Sequence, residues 1–237
     1  MIAMDVRRVK DAQEGGELAA AILLESALQA VGERGAFALA IPGGSSPKGV
    51  FGALVSPKMR DAFPWDRTHL FWVDERAVSV EHADSNFGAF ARDVLFDLPI
   101  PHERVYRMKG ELGPDAGASD YASTLEDVLG DDPVLDAALL GIGEDGHVAS
   151  LFPGARELSS GGTVIGIADS PKPPPERITL TMPVLRSSRL VLVLGLGAGK
   201  ADAVSRCLAG EPLPARLASE GSRAVWVIDD AAAGISA

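Results

Sequence analysis

The sequence has a single cysteine, Cys207, in 237 residues. That excludes a disulfide within the chain and argues against a thiolate metal cluster. No run approaches the ~18 consecutive apolar residues of a membrane span. The opening stretch, "MIAMDVRRVKDAQEGGELAA", lacks the apolar centre of a secretory leader, so a cytoplasmic location is expected. Basic residues are also short: 22 Lys and Arg stand against 33 Asp and Glu, a net charge of −11. A general nucleic-acid or anionic-membrane binder is therefore not expected. A small anionic ligand fits only where the chain gathers cations and free backbone N–H groups locally. Of the four histidines, His69, His82, His102 and His147, none is spaced as H-x-x-x-H or H-E-x-x-H, and no metal site is expected.

Long breaker-rich stretches and internal repeats are missing too. "LSSGGT" (158–163) and "DSPKPPPER" (169–177) are too short for a domain linker and read as surface loops, the second stiffened by its prolines. One domain over 1–237 is expected. Within it, helical and strand-like segments alternate. "ELAAAILLESALQAVGERG" (17–35) carries Leu and Ala at helical spacing and ends on glycine. Further helices are expected at 87–98, 120–130 and about 200–208. Apolar runs at 36–42, 69–74, 134–143, 177–182, 189–197 and 224–229 read as strands. This rhythm predicts an α/β fold with a largely parallel central sheet and helices on both faces. In such sheets, loops at the carboxyl ends of strands line the ligand crevice.

Three of those loops are unusually polar. "PGGSSPKGVF" (42–51) puts Gly43, Gly44, Ser45 and Ser46 before a helix that Ser46 would cap with Pro47 in its first turn. Such a turn can bind an anion or simply begin a helix; it lacks the P-loop pattern. "WVDERAV" (72–78) brings Asp74, Glu75 and Arg76 together at a strand end, either as a solvated cluster with an internal Asp–Arg pair or as part of a site. "HADSN" (82–86) follows, and its "DSN" reads as a turn followed by a helix cap. "GIGEDGHVASLFPG" (141–154) satisfies G-x-G-x-x-G, but two carboxylates would face a pyrophosphate, so a dinucleotide is not expected. "GLGAGKAD" (195–202) has Ala201 where a P-loop needs Ser or Thr. His147 is then either a structural histidine or a general base, its tautomer set by Asp145 two residues away. No serine sits in a G-x-S-x-G elbow, which argues against a nucleophilic triad.

In order, and over nearly the whole chain, "PGGSSP" (42–47), "DER" (74–76), "DSN" (84–86), "GIGEDGHVASLFPG" (141–154), "ERITLTMPVL" (176–185) and "VLGLGAGKADAV" (193–204) resemble the 6-phosphogluconolactonase family. The wider group includes glucosamine-6-phosphate deaminases. Those look similar through G-x-G-x-D-G-H and then continue with an Asn-Glu-containing segment, whereas "ASLFPG" is lactonase-like. The resemblance implies a fold shared with the deaminases and ribose-5-phosphate isomerases. It also implies hydrolysis of 6-phospho-D-glucono-1,5-lactone to 6-phosphogluconate, the second step of the oxidative pentose phosphate pathway, without a cofactor. By the same resemblance His147 would activate water, and Asp145 would orient it or cap the turn. Gly43, Gly44, Ser45 and Ser46 would cradle a sugar phosphate, with the loop glycines leaving room for the ring. Arg76 would meet its anionic groups, and Arg177, Lys200 and Lys172 would be phosphate contacts. A monomer or small homo-oligomer is expected. The alternatives are a glucosamine-6-phosphate deaminase/isomerase and a non-catalytic sugar-phosphate-binding protein, which would have no chemical need for Asp145–Gly146–His147.

Overall fold

The computed structural model describes residues 4–44, 47–221 and 223–235. Nine strands are present among them: β1 (Asp5–Val9), β2 (Phe37–Ile41), β3 (Thr68–Trp72), β4 (Asp74–Arg76), β5 (Ala137–Gly141), β6 (Val164–Ile167), β7 (Arg177–Leu180), β8 (Leu190–Gly195) and β9 (Arg223–Asp229). Six form one parallel sheet in the order β1-β9-β8-β5-β2-β3. Every residue of β2 and β8 is buried. Successive strand residues point to opposite faces, so both faces of the sheet are covered. Each large side chain sealed there, such as Phe37, Leu39 or Leu192, contributes about 1.5–3 kcal/mol of hydrophobic stabilisation.

The helices are α1 (Ala12–Arg34), α2 (Lys48–Val55), α3 (Pro57–Ala62), α4 (Asn86–Asp93), α5 (Pro114–Leu129), α6 (Met182–Ser187), α7 (Ala201–Leu208) and α8 (Pro214–Ala218). No described helix is long and apolar enough to cross a membrane. The helix expected from 17 begins at Ala12, because Asp11 accepts hydrogen bonds from the N–H groups of Gln13 and Glu14. Gly15 and Gly16 are then helical rather than breakers. A Cβ on Gly16 would lie 2.5 Å from the carbonyl carbon of Gly49, so glycine is what lets α1 and α2 cross closely. The helix expected over 87–98 stops at Asp93 and continues as a short 3-10 turn.

Two strand expectations need correction. The apolar run 69–74 is broken at Val73, and the run 177–182 does not join the parallel sheet. β4, β7 and β6 form a separate antiparallel sheet in that order. Val73 ties the two sheets together: its N–H donates to the Ile41 carbonyl, and its carbonyl accepts from Leu180 N–H. β1 was not expected at all, since three of its five residues are exposed and charged or edge-facing.

Strand order fixes where a ligand would sit. From β2 the chain steps outward to β3, whereas from β5 it steps the other way through β8 to β9. The winding reverses between β2 and β5, and the crevice lies beyond their carboxyl ends. There the loops after Ile41 and Gly141 face one another.

Candidate active site

The cleft at this reversal is lined by Gly43 and Gly44 after β2, by Asp74 and Arg76 of β4, and by Asn86 at the start of α4. Gly143, His147 and Ala149 enter from the loop after β5, Arg177 from β7 and Lys200 from the turn before α7. Six of the expected site residues therefore converge: Gly43, Gly44, Arg76, His147, Arg177 and Lys200. Asp145 and Lys172 stand behind His147. Ser45 and Ser46 lie outside the described residues, and so does the expected Ser46 cap. Pro47 precedes α2 by one residue and accepts its first hydrogen bond, from Phe51 N–H.

The loop after β5 is built to hold an imidazole. Gly143 N–H donates to the His147 carbonyl at 2.8 Å and Gly146 N–H to the Gly143 carbonyl at 3.0 Å, which closes a tight turn. His147 Nδ1 lies 2.5 Å from Asp145 Oδ1, and His147 N–H donates to the same oxygen at 3.3 Å. The ring packs against Phe152 with centroids 4.6 Å apart. A Cβ on Gly143 would sit 2.0 Å from His147 Nδ1 and 2.7 Å from Asp145 Oδ1. The space left by that glycine is therefore occupied by the His–Asp pair and is not kept for a ligand ring, as the sequence had suggested. Ala149, just beyond, takes φ +49, which costs a non-glycine residue roughly 1–2 kcal/mol.

The acidic cluster at the end of β4 is neither solvated nor internally paired. Asp74 and Glu75 are 6% and 2% exposed. Asp74 Oδ2 accepts from Ser150 Oγ at 2.7 Å and lies 4.0 Å from Arg177 Nη1, while Oδ1 accepts from Asn86 Nδ2 at 3.2 Å. Arg76 instead donates from Nη1 to the Asp84 carbonyl at 2.6 Å. Its Nε is buried and has no partner among the described residues. Ser85, within the "DSN" stretch expected to hold a turn and a helix cap, caps α4 by accepting from Gly88 N–H at 2.9 Å. Asn86 was not foreseen as a site residue. It enters because Gly43 has no side chain: a Cβ there would lie 1.8 Å from Asn86 Oδ1.

The two cations near "PKPPP" divide their work. Arg177 spends Nε on the Pro174 carbonyl at 3.0 Å, Nη2 on the Lys172 and Pro173 carbonyls at 3.1 Å, and Nη1 on Ser150 Oγ at 3.3 Å. Only one of its five N–H groups is left over. Arg177 thus secures the loop that carries Lys172, whose Nζ lies 3.9 Å from Asp145 Oδ1.

Burial pushes the His147 imidazole below its ordinary value, and the Lys172 charge adds to that. Asp145 and, more weakly, Asp74 pull the other way without reversing it. Burial alone would raise the Asp145 carboxyl, but the hydrogen bonds and charge of His147, with Lys172, hold it below the usual range. An ionised Asp145 beside a neutral imidazole places the proton on Nδ1 and leaves the lone pair on Nε2.

The sequence matches the family described as glucosamine-6-phosphate isomerases/6-phosphogluconolactonase over residues 10–226. It is 37% identical over 240 residues to a protein of Streptomyces coelicolor named 6-phosphogluconolactonase, covering 94% of this chain and 91% of that one. A probable chloroplastic 6-phosphogluconolactonase 3 of Oryza sativa subsp. indica is 39% identical over 208 residues. That match covers 81% of this chain but 63% of the rice protein, so the chain spans just under two thirds of the relative's length. Among solved structures, a 6-phosphogluconolactonase of Thermotoga maritima superimposes with a TM-score of 0.84 at 25% identity, covering 96% of this chain and all (100%) of that one.

Proposed function

The chain belongs to the glucosamine-6-phosphate isomerase/6-phosphogluconolactonase family, and on that premise we propose that it hydrolyses 6-phospho-D-glucono-1,5-lactone to 6-phospho-D-gluconate, with His147 as general base. The observation that carries this reading is the Asp145–His147 pair at the edge of a cleft that also presents Arg76 and Lys200. His147 Nε2 takes a proton from water as the water oxygen attacks the lactone carbonyl. The tetrahedral adduct collapses with cleavage of the ring C–O bond, and the imidazolium returns the proton to the departing ring oxygen. Asp145 fixes the tautomer and offsets the transient charge on the ring. Such help is worth about 10²–10⁴-fold. Arg76 and Lys200, which both line the cleft, supply the cations that a phosphorylated substrate needs on an otherwise acidic chain. Contacts to that remote dianion hold the carbonyl against the water. An activated lactone needs no stronger nucleophile, and "ASLFPG" after the histidine favours this chemistry over deamination.

The protonation state of His147 gives the first test. The base works when neutral, so kcat/KM is flat at neutral pH and falls as the pH drops through the depressed imidazole pKa, below about 6.5. Lys172→Met removes a positive charge that lowers this pKa, so the acid limb moves to higher pH. Initial rates across pH 5–8, corrected for spontaneous hydrolysis, check both. An acid limb that stays in place in Lys172→Met removes the lysine from this role.

A further inference from the structure

Glu75 contributes nothing to the cleft surface, yet it is the most heavily hydrogen-bonded carboxylate around it. Oε1 accepts from the backbone N–H of Arg76 at 2.7 Å and of Asn86 at 2.7 Å. Oε2 accepts from Phe87 N–H at 2.8 Å and Ser85 Oγ at 3.1 Å. The carboxylate thus closes the loop 77–85, joining its start at Arg76 to its end at the first turn of α4. The amino-terminal helix dipole adds to the attraction. Asp84, the residue before this anchored turn, offers the carbonyl that holds Arg76 Nη1. Arg76 is therefore fixed twice through Glu75: by its own backbone and by the acceptor of its guanidinium. Asn86, which fills the space beside Gly43, is held by the same oxygen.

We infer that Glu75 is a positioning residue for the reaction, holding the Arg76 guanidinium in register with the cleft. This rests on the lactonase reading and deepens it. A buried carboxylate with four donors is costly to alter, because the donors have no water to turn to. Glu75→Gln keeps the shape but turns an N–H₂ toward backbone N–H groups, so one side of the clamp opens. Burial holds the Glu75 carboxyl above its ordinary value; the backbone N–H groups of Phe87, Asn86 and Arg76 oppose this without reversing it, and the Asp74 charge adds to the rise.

The test is a double-mutant cycle with Arg76→Ala, read by lactone turnover and by calorimetric binding of 6-phosphogluconate. Glu75→Gln is expected to lower kcat/KM and product affinity by about 10- to 100-fold in the wild-type background. In the Arg76→Ala background it is expected to change either by less than about twofold. Equal losses in both backgrounds would overturn the inference, since a merely structural residue acts regardless of Arg76. Should Glu75→Gln fail to fold, Ser85→Ala removes one donor and is expected to show a smaller loss with the same dependence on Arg76. Wild-type protein that neither turns over the lactone nor binds the product overturns the functional reading and this role with it. An active wild type with additive variants overturns this role alone.

Discussion

His147→Gln is expected to lower kcat for lactone hydrolysis by about 10²–10⁴-fold, the usual worth of a general base, while KM changes little. On the proposed function, groups on other elements hold the phosphate and the sugar. Arg76 comes from β4 and Lys200 from the turn before α7, and neither is bonded to the imidazole. The substitution keeps a polar side chain of similar length in a pocket formed by Asp145 and Phe152, so the turn survives. The wild-type acid limb should vanish with the base. A variant that keeps both its rate and its pH profile would remove His147 from the chemistry. Purified protein, freshly generated lactone and a circular dichroism spectrum to confirm folding are sufficient for the measurement.

Gly143→Ala is expected to do nearly as much harm without touching a functional group. Gly143 is not in the left-handed region, so alanine is tolerated by the backbone and the effect is steric. The new methyl would lie 2.0 Å from His147 Nδ1, 2.1 Å from Cε1 and 2.7 Å from Asp145 Oδ1, and the pair must move or separate. Overpacking of this kind costs about 1–3 kcal/mol of stability, and an ångström of misplacement at a reacting group costs about 10²-fold in rate. A fall in kcat of that size with a modest drop in Tm is the expected outcome. Gly146→Ala, at φ +87 and pressed on Leu213, serves as the contrast, with stability the larger loss. Full activity in Gly143→Ala would show that the His147–Asp145 geometry does not govern the reaction.

How much of this was legible in the sequence depends on whether a residue's partners lie nearby in the chain. β2, β5 and β8 read as strands because burial on both faces demands continuous apolar runs. The Asp145–His147 pair read as a candidate dyad because a two-residue spacing within a glycine turn brings the side chains together. "DSN" read as a turn with a helix cap for the same local reason. The edge strand β1 did not, since only Val9 of "DVRRV" is buried and its charges mask the pattern.

The sheet to which "RITL" belongs was hidden as well. One of its two partners is the three-residue strand "DER", which has no apolar signature. That pairing, together with Ser150 and Asn86, is what buries Asp74 and Glu75 and turns an apparent surface cluster into part of the site wall. Arg177 was expected as a phosphate contact from the family resemblance alone. Its commitment to the Lys172, Pro173 and Pro174 carbonyls depends on how that loop folds back, which residue spacing does not reveal. The structural role of Gly43, opening space for Asn86, was hidden for a similar reason.

The most direct measurement is the initial rate at which wild-type protein hydrolyses freshly generated 6-phosphogluconolactone above the spontaneous background, run beside ammonia release from glucosamine 6-phosphate. Lactone turnover far above background, with no ammonia released, is the expected result. Lactone hydrolysis at the background rate would contradict the proposed function, and ammonia release in the same experiment would assign the cleft to deamination instead.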